Sequence, residues 1–106
     1  MASVNLSDYK NIYLQTAKEY ISNMSKSAVK LTSNPLDKEA INSLHISSHS
    51  LKSQSQVMGY SDIANICLNI EKISDNALKG NVQLTDDIIV GIQKPIKQLE
   101  EMLKQV

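Results

Sequence analysis

Four successive stretches of this chain place apolar residues at steps of three and four, and none places them at every second position. That spacing lines one face of an α-helix, whereas a half-buried strand needs a period of two. A chain patterned this way folds by burying helix faces against one another, so the expected class is all-α.

In the first stretch Tyr13, Ala17, Tyr20, Ile21, Met24, Ala28 and Leu31 form the stripe, and Ser7 and Asp8 suit the start, which predicts a helix from Ser7 to Thr32. It stops at "SNPLDK", because Pro35 has no amide hydrogen and biases Asn34 away from helical angles. A second helix begins near Leu36 or Asp37 and carries Ile41, Leu44, Ser48, Leu51, Ser55 and Met58, with Gly59 placed to close it as a left-handed cap. Its two core-side serines permit close approach of a neighbour.

Ser61 and Asp62 open a third helix with Ile63, Ile66, Cys67, Ile70, Ile73 and Ala77 on one face, and "KGN" with Gly80 ends it. Thr85, followed by Asp86 and Asp87, caps a fourth that carries Ile88, Ile92, Ile96, Leu99, Leu103 and Val106. Pro95 is expected to bend or split this last helix near Gly91. Four amphipathic helices on short loops predict an antiparallel four-helix bundle. At 106 residues, without a repeat or a change of composition, residues 1–106 form a single domain.

Eleven basic and eleven acidic side chains balance, and no basic run tracks along the chain, which argues against nucleic acid as a partner. No apolar run exceeds three residues, as in "IIV" at Ile88 to Val90, so no membrane insertion is expected. Cys67 is the only cysteine and "MASVNLSDYK" has no leader-like apolar stretch, which together predict a reducing, cytoplasmic setting. Phe and Trp are absent, leaving aliphatic residues and four tyrosines to fill the core.

Both histidines lie in "LHISSHSLKSQSQVMGY". At about 100° per residue, His45, His49, Lys52, Ser53 and Gln56 share one outward side of the second helix. Such a side is compatible with plain solvation. It also places His45 and His49 at i and i+4, a spacing that can share a metal, but no glutamate intervenes and no third ligand is near in sequence, so no metal site is assigned. Cys67 falls on a core face and reads as packing.

Imidazole chemistry offers another use for this side. A ring nitrogen of His49 that is unprotonated near neutral pH can attack a phosphoryl group, and Lys52, one turn on, is placed to neutralise the phosphoryl oxygens. A carboxylate on the other ring nitrogen would fix the tautomer, and Glu71, beside the core face of the third helix, is the candidate.

These residues resemble the histidine phosphotransfer (HPt) domain family, most closely its form at the N-terminus of chemotaxis-type (CheA-like) histidine kinases. The family's hallmark is a histidine followed by a small or polar residue, an aliphatic residue, lysine and usually glycine, with a further glycine ten positions after the histidine. Here it reads "HSLKSQSQVMGY". In that register the resemblance makes His49 the phosphoacceptor, Lys52 the lysine that stabilises the phosphoryl group, Gly59 the later glycine, and Glu71 in "CLNIEKI" the residue that orients the imidazole. The flanks "NPLDKEAINSLHISSHSLK" and "KGNVQLTDDIIVGIQKPIKQLEEML" are similar to the family's helix passages. Two departures stand out: Ser53 replaces the usual glycine after the lysine, and His45 and Ile46 replace a phenylalanine and an arginine.

The resemblance implies a phosphorelay module of two-component signalling. His49 would take a phosphoryl group from the catalytic domain of a histidine kinase, or from a phospho-aspartate, and pass it to an aspartate of a response-regulator receiver domain. Ser53, Gln56, Gly59 and His45 would border the partner. No cofactor is expected in this domain, the magnesium belonging to the partner, and with no P-loop or glycine-rich nucleotide site the chain would not use ATP alone. The competing function is a helical adaptor that binds a receiver or kinase through the same surface without transferring phosphate.

Overall fold

The computed structural model describes residues 6–106, so Met1 to Asn5, where the absence of a leader was read, lie outside the described residues. Four α-helices follow one another: α1 Leu6–Ser33, α2 Lys38–Met58, α3 Ser61–Leu78 and α4 Asp86–Lys104. None is long and apolar enough to cross a membrane. The chain turns back at each short loop, and α2 packs against both α1 and α3 while α4 closes on α1 with a lighter contact to α3. The result is the antiparallel bundle that the apolar periodicity predicts.

Its boundaries have local causes. Asn34, before Pro35, follows the last residue of α1, and the Asp37 side chain caps α2 by accepting from the Ala40 amide at 3.1 Å. Gly59 takes φ +80°, ψ 14°, the left-handed conformation that ends α2 and that a Cβ would disfavour. Thr85 caps α4 by accepting from the Ile88 amide at 3.3 Å. Leu84 and Ile89, at the positions of a hydrophobic staple around that cap, are both buried.

Two expectations about α4 change. Its buried stripe starts at Ile89, with Ile88 only partly buried, and the helix runs unbroken through Pro95 rather than splitting near Gly91. Proline removes one bond from a helix of 19 residues, and the carbonyl it frees is that of Gly91, an exposed residue open to water.

The core combines Tyr13, Met24, Leu31, Leu44, Leu51, Ile70, Ile92 and Leu99, all at most 4% exposed, with aliphatic and alanine neighbours. On α2, Ser47, Ser48 and Ser55 are buried beside Leu44 and Leu51. Burying hydroxyls costs stability unless each finds a partner. Ser55 Oγ meets the Tyr13 hydroxyl at 2.8 Å, Ser48 donates to the His45 carbonyl at 3.1 Å, and no buried side-chain polar atom among the described residues lacks a partner. The Tyr13 ring also packs obliquely on Tyr60, with centroids 5.1 Å apart, in place of the Phe and Trp rings that the composition lacks.

Candidate functional site

The α2–α3 seam builds the site. Leu44, Ser48, Leu51 and Ser55 turn inward on α2, so His45, His49 and Lys52 stand along the edge of that buried stripe. On α3, Glu71 follows Ile70, a residue 1% exposed, and therefore stands at the matching edge across the interface. The two edges meet.

Glu71 engages both partners from α2. Its Oε2 contacts His49 Nδ1, and its Oε1 accepts from Lys52 Nζ at 2.6 Å. The carboxylate is 12% exposed and the lysine 16%, whereas the His49 side chain is 59% exposed. Burial alone would push the Glu71 carboxyl up, but the hydrogen bonds from Lys52 and His49, reinforced by their charge, outweigh it and hold the carboxyl below the usual glutamate range.

An ionised carboxylate has no proton to donate, so the hydrogen in the His49–Glu71 contact belongs to Nδ1. In the neutral ring Nε2 then carries the lone pair. One partly buried carboxylate thereby selects the tautomer of an exposed imidazole, and this is the arrangement that a nitrogen nucleophile requires.

The structure corrects the expected place of Lys52. Rather than standing on the outward side, its side chain leans across the seam and its ammonium is engaged by Glu71, because its long stem reaches an opposite charge that spacing along α2 does not reveal. His45 is partly buried, with Nδ1 3.5 Å from Ser74 Oγ, and its ring lies 17° from parallel to that of His49 with centroids 6.4 Å apart. His45, His49, Glu71, Lys72 and Asp75 line one shallow depression of about 240 Å³.

The other residues singled out from sequence are not part of that depression. Ser53 is partly buried and Gln56 exposed on later turns of α2. Gly59 sits ten residues from His49, roughly 15 Å along the helix, where its part is to end α2. Leu51 is fully buried and presents nothing to a partner. Cys67 is buried at 0% exposure and its thiol is pushed up to about 12, chiefly by burial, as a packing residue should be. Among the described residues no group of three or more His, Cys, Asp or Glu is arranged to hold a metal ion.

Lys72 and Asp75 are the lining residues that the sequence reading passed over. The available signal was their position on α3, one and four residues after Glu71.

The chain is similar in sequence and in fold to CheA proteins. It is 22% identical over 103 residues to the chemotaxis protein CheA of Bacillus subtilis and 24% identical over 101 residues to that of Halobacterium salinarum, covering 97% and 95% of this chain. The chain spans 15% of the length of each of those proteins. Its fold superposes on the CheA phosphotransferase domain from Thermotoga maritima with a TM-score of 0.89 at 27% identity, covering 96% of this chain and 97% of that domain. A histidine phosphotransfer domain of CheA solved in solution gives a TM-score of 0.88 at 28% identity, covering 95% of this chain and 76% of the other. The profile of the family described as Hpt domain matches residues 8–106, and with nearly the whole bundle inside that match the chain belongs to the Hpt domain family.

Proposed function

We propose that this domain is a phosphorelay module in which His49 carries the phosphoryl group. The observation that supports this most is the Glu71 contact on Nδ1, which leaves Nε2 of a well-exposed ring as the nucleophile. In the accepting step Nε2 forms the N–P bond while the donor's P–O bond breaks, and the oxygen that leaves keeps the bonding pair. The ring gains positive charge as that bond forms, and the Glu71 carboxylate balances it through Nδ1–H. Lys52 keeps Glu71 ionised and aimed, acting on the imidazole through the carboxylate.

The donor we infer is the catalytic domain of a histidine kinase, or a phospho-aspartate, and the acceptor an aspartate of a response-regulator receiver domain. Nucleotide and magnesium belong to those partners, which fits a cytoplasmic domain without a nucleotide site of its own. On α2, exposed Ile46 and Val57 flank His49, with the small, partly buried Ser50 and Ser53 between them on nearly the same face. That stripe gives a receiver apolar surface and close backbone approach beside the phosphoacceptor.

Incubation with a kinase of the chemotaxis type and labelled ATP tests the proposal. Label should appear as acid-labile phosphohistidine and be abolished by His49→Gln, with circular dichroism unchanged. Undiminished labelling of that variant would refute the assignment.

A further inference from the structure

Lys52 is committed to Glu71, so the cation expected beside the phosphoryl group has been drawn away from it. The structure offers a replacement. His49 shares its depression with His45, Lys72 and Asp75 as well as Glu71, and the charges of this set are unevenly matched. Glu71 is shared between Lys52 and His49, and Asp75 pairs with Lys79 at 2.9 Å. Lys72 is exposed and has no ion-pair partner among the described residues. Its ammonium, on a flexible four-carbon stem, is the unmatched charge of the depression.

His45 lines the same depression. Ser74 Oγ uses its proton toward the carbonyls of Ile70 and Glu71, at 3.0 and 2.9 Å, so its oxygen is left to accept from His45 Nδ1–H. Nε2 is then the nitrogen of His45 that Ser74 does not engage. The other charged or titratable groups lining the depression are His49 on α2 and Glu71, Lys72 and Asp75 on α3.

We propose that Lys72 supplies the cation that holds the phosphoryl oxygens on His49, with His45 bordering the same cradle. This rests on His49 being the phosphoacceptor. A phosphoryl group is a dianion at neutral pH, and an ammonium brought to about 6 Å from such a group in water changes a rate by about three- to tenfold.

The test is the rate of phosphorylation by phosphoramidate, followed by phosphorus NMR, for the native chain and for Lys72→Gln and Lys72→Arg, each checked for native helicity. Lys72→Gln should slow labelling about three- to tenfold at low ionic strength, Lys72→Arg should restore it, and the deficit should shrink at about 1 M salt, where the Debye length is ~3 Å.

Labelling of His49 at the native rate in Lys72→Gln, or a loss that neither arginine nor salt alters, would overturn the cradle alone. A native chain that takes no phosphoryl group on His49 would instead overturn the function on which the cradle rests.

Discussion

Breaking the Lys52–Glu71 pair should cost far more stability than an ordinary surface ion pair. At 2.6 Å and an effective dielectric constant near 20, the gross attraction is about 6 kcal/mol, and removing two ions from water offsets most of it. Exposed pairs net about 0–1 kcal/mol and hydrogen bonds to charged groups about 1.5–3 kcal/mol. With side chains only 16% and 12% exposed, this pair belongs between those ranges, at about 1.5 kcal/mol of coupling.

Lys52→Met, which keeps the stem and removes the charge, should therefore destabilise the bundle by about 1.5–2 kcal/mol, and Glu71→Gln by a similar amount. The double variant should fall short of the sum by the coupling term. For a domain of this size 1.5 kcal/mol is a drop in Tm of roughly 7 °C.

Urea unfolding of the four proteins at neutral pH measures the cycle, and its pH dependence has a defined sign. Folding makes the Glu71 carboxyl more acidic than in the unfolded chain, so the coupling is complete above the ordinary glutamate range, about pH 4.3, and is lost as pH falls through the lower folded value. Coupling below about 0.3 kcal/mol, or coupling that rises on acidification, would refute the assignment of Lys52 to Glu71.

Three further outcomes follow from named contacts. Ser55→Ala strands the buried Tyr13 hydroxyl and should cost about 1–2 kcal/mol in urea unfolding, whereas the double change with Tyr13→Phe should recover part of that loss. Gly59→Ala meets no neighbour within 4 Å, so its cost of about 1 kcal/mol should come from the left-handed backbone alone, and Gly59→Asn should cost less in the same assay. Cys67 should resist a thiol reagent at neutral pH in the folded protein and react fully in denaturant, since its thiol is buried and pushed up to about 12; rapid modification of the folded chain would contradict that burial.

Much of the fold was legible before any coordinates. The breaks at Pro35, Gly59 and Gly80 and the cap at Thr85 act within a few residues, so the extents of α1, α2 and α3 came within one or two residues of those expected. Periodicity could not decide the phase of α4 at its start, where Ile88 and Ile89 differ by about 100° and only packing selects Ile89 for the core. It also could not weigh one missing hydrogen bond at Pro95 against an otherwise intact helix buried along one face.

The site divides along the same line. His49, Lys52 and Glu71 were recognisable from spacing and from the family's pattern, because the positions belong to local helical faces. The direction of the Lys52 ammonium and the shared depression of His45, His49, Lys72 and Asp75 depend on how α2 and α3 are rotated and staggered against each other. That relation is set by ridges and small serines packing across an interface between residues about twenty positions apart. Periodicity and caps act within one helix and were fixed by the chain itself; which charge meets which carboxylate was decided only when two helices came together.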